Sequence, residues 1–361
     1  MDRLQLIINP GSTSTKLALF KENKRVVQES IGHKPEKLKQ FETIKDQIPY
    51  RLELIYDFMD RNNIDGNQLS SIIGRGGLVF GIETGGYEVN DELIDALTND
   101  RYSQPHASNL GGLLAREIAN RYSIPAFIYD AVTSSELPEI AQITGFKEVR
   151  RRSFCHVLNS RAMAIKYAGE INRNYEDLNL IVAHLGGGIS LSVHRHGHII
   201  DSIGDDDGQF SPERSGSIPM LQMLELCYSS EYTKQQMHKK IRGQGGMFAH
   251  LETSNCQEIE KRIKNGDETA KKVFEAQAYQ IAKSIGLLSI VLKGKCDAII
   301  LTGGLAHSDA LTRLIRDYVE FIAPVVIMPG ENEMEALANG GLRLLDGKEK
   351  IHEYHYPKED I

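Results

Sequence analysis

Two strand-turn-strand segments of one build constrain this chain more than anything else in it. In the first, the apolar runs Leu4 to Ile8 and Leu17 to Phe20 flank Asn9-Pro10-Gly11-Ser12-Thr13-Ser14-Thr15-Lys16. Backbone N–H groups of such a turn can point inward, its hydroxyls add donors, and the Lys16 ammonium is a point charge suited to phosphate oxygens. An ordinary hairpin loop uses the same residues. The segment is not a P-loop, because Thr15 and not a glycine stands immediately before the lysine and a strand follows instead of a helix. The continuation KLALF-KENK-RVVQES reads as a β-hairpin with a polar four-residue connection.

The second segment, Leu180 to Val193, runs LIVAHLGGGISLSV and is followed by His194 to His198 and a new apolar start at Ile199-Ile200. Superposing the two puts His184 opposite Asn9 and Gly186 opposite Gly11. A hairpin carrying a Gly-rich turn therefore opens each half, the mark of a duplicated domain. Two such domains facing each other would bring both turns to one cleft, where phosphates could be gripped from two sides. A third glycine turn, Thr302-Gly303-Gly304, follows Ala298 to Leu301. Ser308 then caps a helix from Asp309 to Phe321, and Val325 to Met328 completes a β-loop-α-β unit with parallel strands.

The 361 residues suit two domains, each able to bury a core. Lys+Arg 42 against Asp+Glu 49 gives a net charge of -7, which disfavours nucleic acid or an anionic membrane as partner and favours small-molecule chemistry. The chain opens in a strand without an apolar signal core, and its best apolar run, Ile285 to Leu292, is too short to span a bilayer, so a cytoplasmic protein is expected. Cys155, Cys227, Cys256 and Cys296 form no C-x-x-C pair. His194 to His198 falls where a hairpin turn belongs, and Asp205-Asp206-Asp207-Gly208 lacks EF-hand spacing and reads as a solvated loop.

Periodicity predicts helices over Tyr50 to Arg61, Asn109 to Tyr122, Ser160 to Glu170, Pro219 to Tyr228, Asp267 to Leu292 and Glu333 to Leu345. The restart of the hairpin motif sets a boundary near residue 150, crossed by a hinge helix. The expected domains are 1–150 and 151–337, with 338–361 packing back on the first.

Polar residues interrupt apolar segments where strands should end. Arg75 stands among glycines in Ile72-Ile73-Gly74-Arg75-Gly76-Gly77, Asp130 closes Phe127-Ile128-Tyr129, Arg214 lies in Phe210-Ser211-Pro212-Glu213-Arg214-Ser215-Gly216, and His156 precedes a helix. The ordered set INPGSTSTK, GRGG, PHASN, YDAVTSSEL, RRSFCH, AHLGGGIS, FSPERSG, LTGGLAHS and ENEMEA, from Asn9 to about Arg343, resembles the acetate and butyrate kinase family, within the larger group of sugar kinases, actin and 70-kDa chaperone ATPases.

The resemblance implies an α/β fold of two duplicated ribonuclease H-like (actin-like ATPase) domains with mixed sheets around a nucleotide cleft. It implies an ATP-dependent kinase that uses Mg2+ and converts a small carboxylate and ATP reversibly into an acyl phosphate and ADP, and a homo-oligomer. It places phosphate contacts on Asn9, Ser12, Ser14 and Lys16, and a second phosphate turn on His184, Gly186, Gly187 and Gly188. The adenosine side falls on Gly303 and Gly304, and acid binding on Arg75, Gly76, Gly77, His106 and Arg214. Catalysis falls on Arg75, Arg214, His156 and Asp130, and the metal on Asn9, Asp130 and Glu333. Gly187 departs from the asparagine of acetate kinases, so a side-chain phosphate contact is lost there.

These residue types also make chemical sense. A carboxylate is already ionised at neutral pH, so its oxygen can attack phosphorus without a general base. The obstacle is repulsion between two anions, and arginine supplies cations that keep their charge. The small residues at Gly76 and Gly77 suggest room for an acyl chain longer than acetate, with butyrate, isobutyrate, valerate and branched acids all candidates. The competing class is a nucleotide-driven conformational switch of the actin or chaperone type.

Overall fold

The computed structural model describes residues 3–357, which divide into two compact units. The first comprises the chain up to Ser135 together with Asn332 onward, and the second is Glu136–Glu331. Each is built on one mixed sheet.

In the first unit, β1 (Leu4–Pro10), β2 (Ser14–Lys21) and β3 (Lys24–Gly32) form an antiparallel meander. Then β4 (Ser71–Arg75) and β6 (Ala126–Tyr129) add in parallel beyond β1, with β5 (Gly86–Glu88) antiparallel to β6. All of β1 beyond Leu4 is buried, a near-continuous apolar run of the kind found where a strand is covered on both faces. Helices Ile48–Arg61 and Leu110–Tyr122 bring Ile55, Phe58, Leu114 and Ile118 into that core.

In the second unit, β7 (Asn179–Leu185), β8 (Ile189–Arg195) and β9 (His198–Ile203) repeat the meander. Here β10 (Ala298–Gly303) and β11 (Val325–Pro329) add in parallel beyond β7. The order β9-β8-β7-β10-β11 matches β3-β2-β1-β4-β6 in sequence and direction, so the duplication read from the two hairpins is present in the topology. Ser308 caps the helix Asp309–Val319 by accepting from the Leu311 amide, as expected. A two-residue strand, β12 (Ile351–His352), adds to β5 at the edge of the first sheet.

Several expectations change. The β2–β3 connection is two residues, Glu22 and Asn23, with Glu22 at φ 52°; the flanking lysines of KENK belong to the strands. The units divide at Ser135/Glu136 and Glu331/Asn332, away from 150 and 337. Glu136 joins the second unit because its carboxylate accepts from the Ile199 amide at 2.8 Å and pairs with His198. No helix crosses residue 150; the helix there is only Glu139–Gln142. The helix Glu333–Leu345 belongs wholly to the first unit, where Ala338 O accepts from Gln5 Nε2 at 3.1 Å. Of the segment assigned to that unit, residues 358–361 lie outside the described residues. The β8–β9 turn is at His196-Gly197, whereas His194 is fully buried inside β8, bonded to Tyr175 and Ser192.

Burial, and secondarily the Arg51 charge, pulls the pKa of His33 down from its usual 6.5 to about 4. Neutral His33 therefore stabilises the fold above pH 6.5, and that contribution is lost as pH falls towards 4, because the unfolded chain takes the proton first. Denaturation midpoints measured from pH 7 to 4 should fall, and His33→Gln should flatten that slope; an unchanged slope would contradict this origin.

Candidate active site

The expected functional residues gather into two sets, one on each unit. In the first unit, antiparallel pairing puts Asn9 of β1 opposite Lys16 of β2. Arg75 follows Gly74 of β4, just as Asn9 follows its partner Ile8. Three adjacent strands thus end in a row of Lys16, Asn9 and Arg75, and Asp130 follows Tyr129, the β6 partner of Arg75.

Glu333, the first residue of its helix, faces this row. Its carboxylate lies 2.6 Å from Arg75 Nη1, accepts from Asn9 Nδ2 at 2.8 Å, and is 3.8 Å from Lys16 Nζ. Asn9 Oδ1 also accepts from Arg75 at 3.3 Å, so one amide bridges the arginine and the carboxylate. Asp130, buried and at φ 45°, accepts from the Gly85 amide at 2.8 Å. His106 accepts at Nδ1 from the Ser108 amide, which leaves Nε2 to carry the proton of the neutral ring. Burial, and then the nearby Arg75 charge, lowers its pKa and keeps it neutral. In the turn itself, the Gly11 amide closes onto Ser14 O at 2.7 Å, and Ser12 is exposed.

In the second unit, His184, one residue before the end of β7, pairs with Ser190, with Thr302 of β10 on its other side. It is 3% exposed, accepts from Asn159 Nδ2 at 2.9 Å, and reaches Glu331 at 3.3 Å. The His156 ring stacks on it, with centroids 3.9 Å apart and planes at 10°. Ser190 Oγ accepts from the His156 amide at 3.0 Å and lies 2.7 Å from its Nδ1, fixing backbone and ring together. The turn Gly186, Gly187, Gly188 follows, and a Cβ on Gly188 would come 3.0 Å from Arg214 Nε. Arg214 is therefore laid against the turn, and Nη1 is held 2.5 Å from Asp205 Oδ2. Gly303 takes φ 89° at the end of β10, a conformation that favours glycine, while Gly304 has open space around it.

Two expectations fail here. Asp205 is no solvated loop residue: it is 4% exposed and holds Arg214, and burial raises its pKa against the pull of that arginine. Nor do Gly76 and Gly77 open space for a ligand. A Cβ on Gly76 would lie 2.6 Å from Ala131 Cα, and one on Gly77 would lie 2.6 Å from Asn109 Oδ1 and 2.7 Å from Leu97. Protein already fills that volume, so the glycines let the loop after Arg75 lie against Asn109, which accepts from the Leu78 amide at 2.8 Å. Asn109, Asn159, Ser190 and Asp205 escaped the sequence reading. Asn109 lies within the PHASN motif, but nothing in the sequence distinguishes Asp205 from its two acidic neighbours.

Glu333, Asp130 and the Asn9 amide offer hard oxygen donors. Mg2+ takes such donors and commonly needs only one or two protein carboxylates beside phosphate and water, so this set fits it.

Residues 142–327 match the model of the acetokinase family. The chain is 47% identical to a probable butyrate kinase 2 of Caldanaerobacter subterraneus over 95% of its length and 97% of that protein's. It is 44% identical to butyrate kinase 1 of Clostridium acetobutylicum, covering 97% and 99%. In structure it resembles the acetate kinase of Porphyromonas gingivalis, with TM-score 0.79 at 17% identity, covering 95% of this chain and all of that one. A propionate kinase from Francisella tularensis gives TM-score 0.72, also at 17% identity, covering 94% and 98%.

If Gly77 serves packing, Gly77→Ala should cost about 1–3 kcal/mol of stability. Gly187→Ala, whose nearest neighbour would be Glu213 at 4.0 Å, should stay within about 0.5 kcal/mol of wild type. Urea denaturation of the two variants checks this, and equal losses would contradict it.

Proposed function

This chain belongs to the acetokinase family, and from its two sets of residues we propose that it is a butyrate kinase, transferring the γ-phosphoryl group of ATP to a short-chain carboxylate. One observation carries the choice of acid: the chain is 42–47% identical, almost end to end, to several proteins described as butyrate kinases. The fold matches kinases for acetate and propionate, so the acid is a matter of pocket detail, not architecture.

A carboxylate oxygen attacks the γ-phosphorus, the bond from that phosphorus to the β–γ bridging oxygen breaks, and ADP leaves with the electron pair. The acid enters ionised, so no base is required. Arg75 holds the carboxylate in a two-pronged grip, with neutral His106 donating from Nε2 beside it. Arg214 covers the charge that spreads over the transferring group, and His156, locked by Ser190 and stacked on His184, donates to it. Lys16 with Ser12, Ser14 and Asn9 forms one phosphate turn. Gly186 to Gly188 form the other, and Gly303 with Gly304 gives close backbone approach to the adenosine. Mg2+, held by Glu333, Asp130 and Asn9, would neutralise phosphate charge when bound.

The proposal extends to a cytoplasmic homo-oligomer. No residue of the helix Met220–Tyr228 is buried, and Met220, Leu221 and Tyr228 are each at least 72% exposed, an apolar surface suited to a second copy. No helix among the described residues is long and apolar enough to cross a membrane.

Incubation with ATP, Mg2+, hydroxylamine and a C2 to C6 acid series, branched acids included, should yield acyl hydroxamate with its maximum at or near butyrate. ATP hydrolysis without hydroxamate for every acid would instead favour a conformational switch. Arg75→Ala and Arg214→Ala should each lower turnover by about 10³-fold or more with circular dichroism unchanged. Normal kinetics in either variant would remove that arginine from the mechanism.

A further inference from the structure

Arg51 is a buried cation held by neutral groups. It sits in the helix Ile48–Arg61, is 1% exposed, and is among the largest fully buried side chains of the protein. Every group that accepts from it is neutral. Nε and Nη2 reach Gln47 Oε1 at 3.1 and 2.8 Å, Nη1 reaches Thr15 Oγ1 at 2.8 Å, and Nη2 reaches Gly11 O at 3.1 Å. Among the described residues no carboxylate pairs with it, and burial lowers its pKa to about 10, so it still carries its charge at neutral pH. A buried charge is ordinarily paired, because desolvation is expensive.

The neighbours offer no compensation. Thr15 Oγ1, accepting from Arg51, can donate a hydrogen bond to His33 Nε2 at 2.9 Å, and His33 Nδ1 lies 3.1 Å from the Tyr50 hydroxyl. This string of hydrogen bonds is neutral apart from the guanidinium, and the same charge helps hold His33 neutral. Both far ends of the guanidinium fork rest on the turn, at Gly11 and Thr15, behind the residues Ser12, Ser14 and Lys16 that are proposed to meet phosphate.

We propose that Arg51 is a positioning residue for this turn and that its missing counter-charge is the polyphosphate of the bound nucleotide. The inference rests on the kinase reading of this turn. Arg51 does not touch the ligand; it fixes the turn's backbone and adds a permanent positive charge behind it, in a site where water does not screen it. The unliganded protein therefore carries an uncompensated charge, which nucleotide binding relieves.

Gln47 makes the test clean, because it is half-buried at the start of the helix and already touches the guanidinium. Gln47→Glu places a carboxylate on Arg51 without altering the turn. Binding of ATP with Mg2+ and of adenosine is measured by calorimetry, with melting temperatures of the unliganded proteins. Gln47→Glu should melt higher and bind Mg-ATP about tenfold more weakly, with adenosine binding changed less than about twofold. Arg51→Gln should weaken Mg-ATP at least as much, and Arg51→Lys, which keeps the charge, should recover most of it. Mg-ATP bound by Gln47→Glu as tightly as by wild type would overturn the proposal, as would equal loss in Arg51→Lys and Arg51→Gln, which would leave only a mechanical role. If wild type itself binds no Mg-ATP, the functional reading falls and this inference with it.

Discussion

Each unit holds one arginine at a strand end or glycine turn by a carboxylate of its own: Arg75 by Glu333, and Arg214 by Asp205. A guanidinium has many rotamers and a permanent charge, so without such a tether it would be neither aimed nor cheaply half-buried. In the proposed reaction these groups exchange a protein carboxylate for a ligand anion. Because the exchange leaves the number of ion pairs unchanged, binding need not overcome the full cost of desolvating a charge.

Duplication supplies the frame, and divergence within it supplies the chemistry. The first sheet ends in Lys16, Asn9 and Arg75, a row with two cations. At the matching strand ends the second sheet carries Ser190, His184 and Thr302, a row of hydrogen-bonding groups on which His156 is mounted. One frame thus offers a charged row on its first copy and an oriented, hydrogen-bonding one on its second. Both rows stand at the ends of strands whose interiors are almost wholly buried, so their backbone positions are set by the cores and not by the ligands.

The legible part of this arrangement was what local chemistry marks. Apolar runs bounded by glycine and hydroxyl turns gave both hairpins, and an arginine or aspartate closing such a run placed Arg75 and Asp130. Contacts across long sequence distances stayed hidden. Even the nearer contact of Asp205 with Arg214 was hidden, because its two acidic neighbours masked it. The glycines after Arg75 looked like space for a substrate because sequence shows a missing side chain but not what fills its place; Asn109 and Leu97 do. Likewise the helix periodicity that located Arg51 could not tell a solvent-facing arginine from one turned inward onto Thr15. The shift of the unit boundary has the same cause: Glu136 is assigned by a strand more than sixty residues later, through Ile199.

The most direct test is a crystal structure with ADP, Mg2+, butyrate and a planar anion standing in for the transferring phosphoryl group. The account predicts that Arg75 and Arg214 leave Glu333 and Asp205, with the first bonded to the butyrate carboxylate and the second to the planar anion. Ligands bound with both protein ion pairs intact and neither guanidinium in contact with them would contradict it.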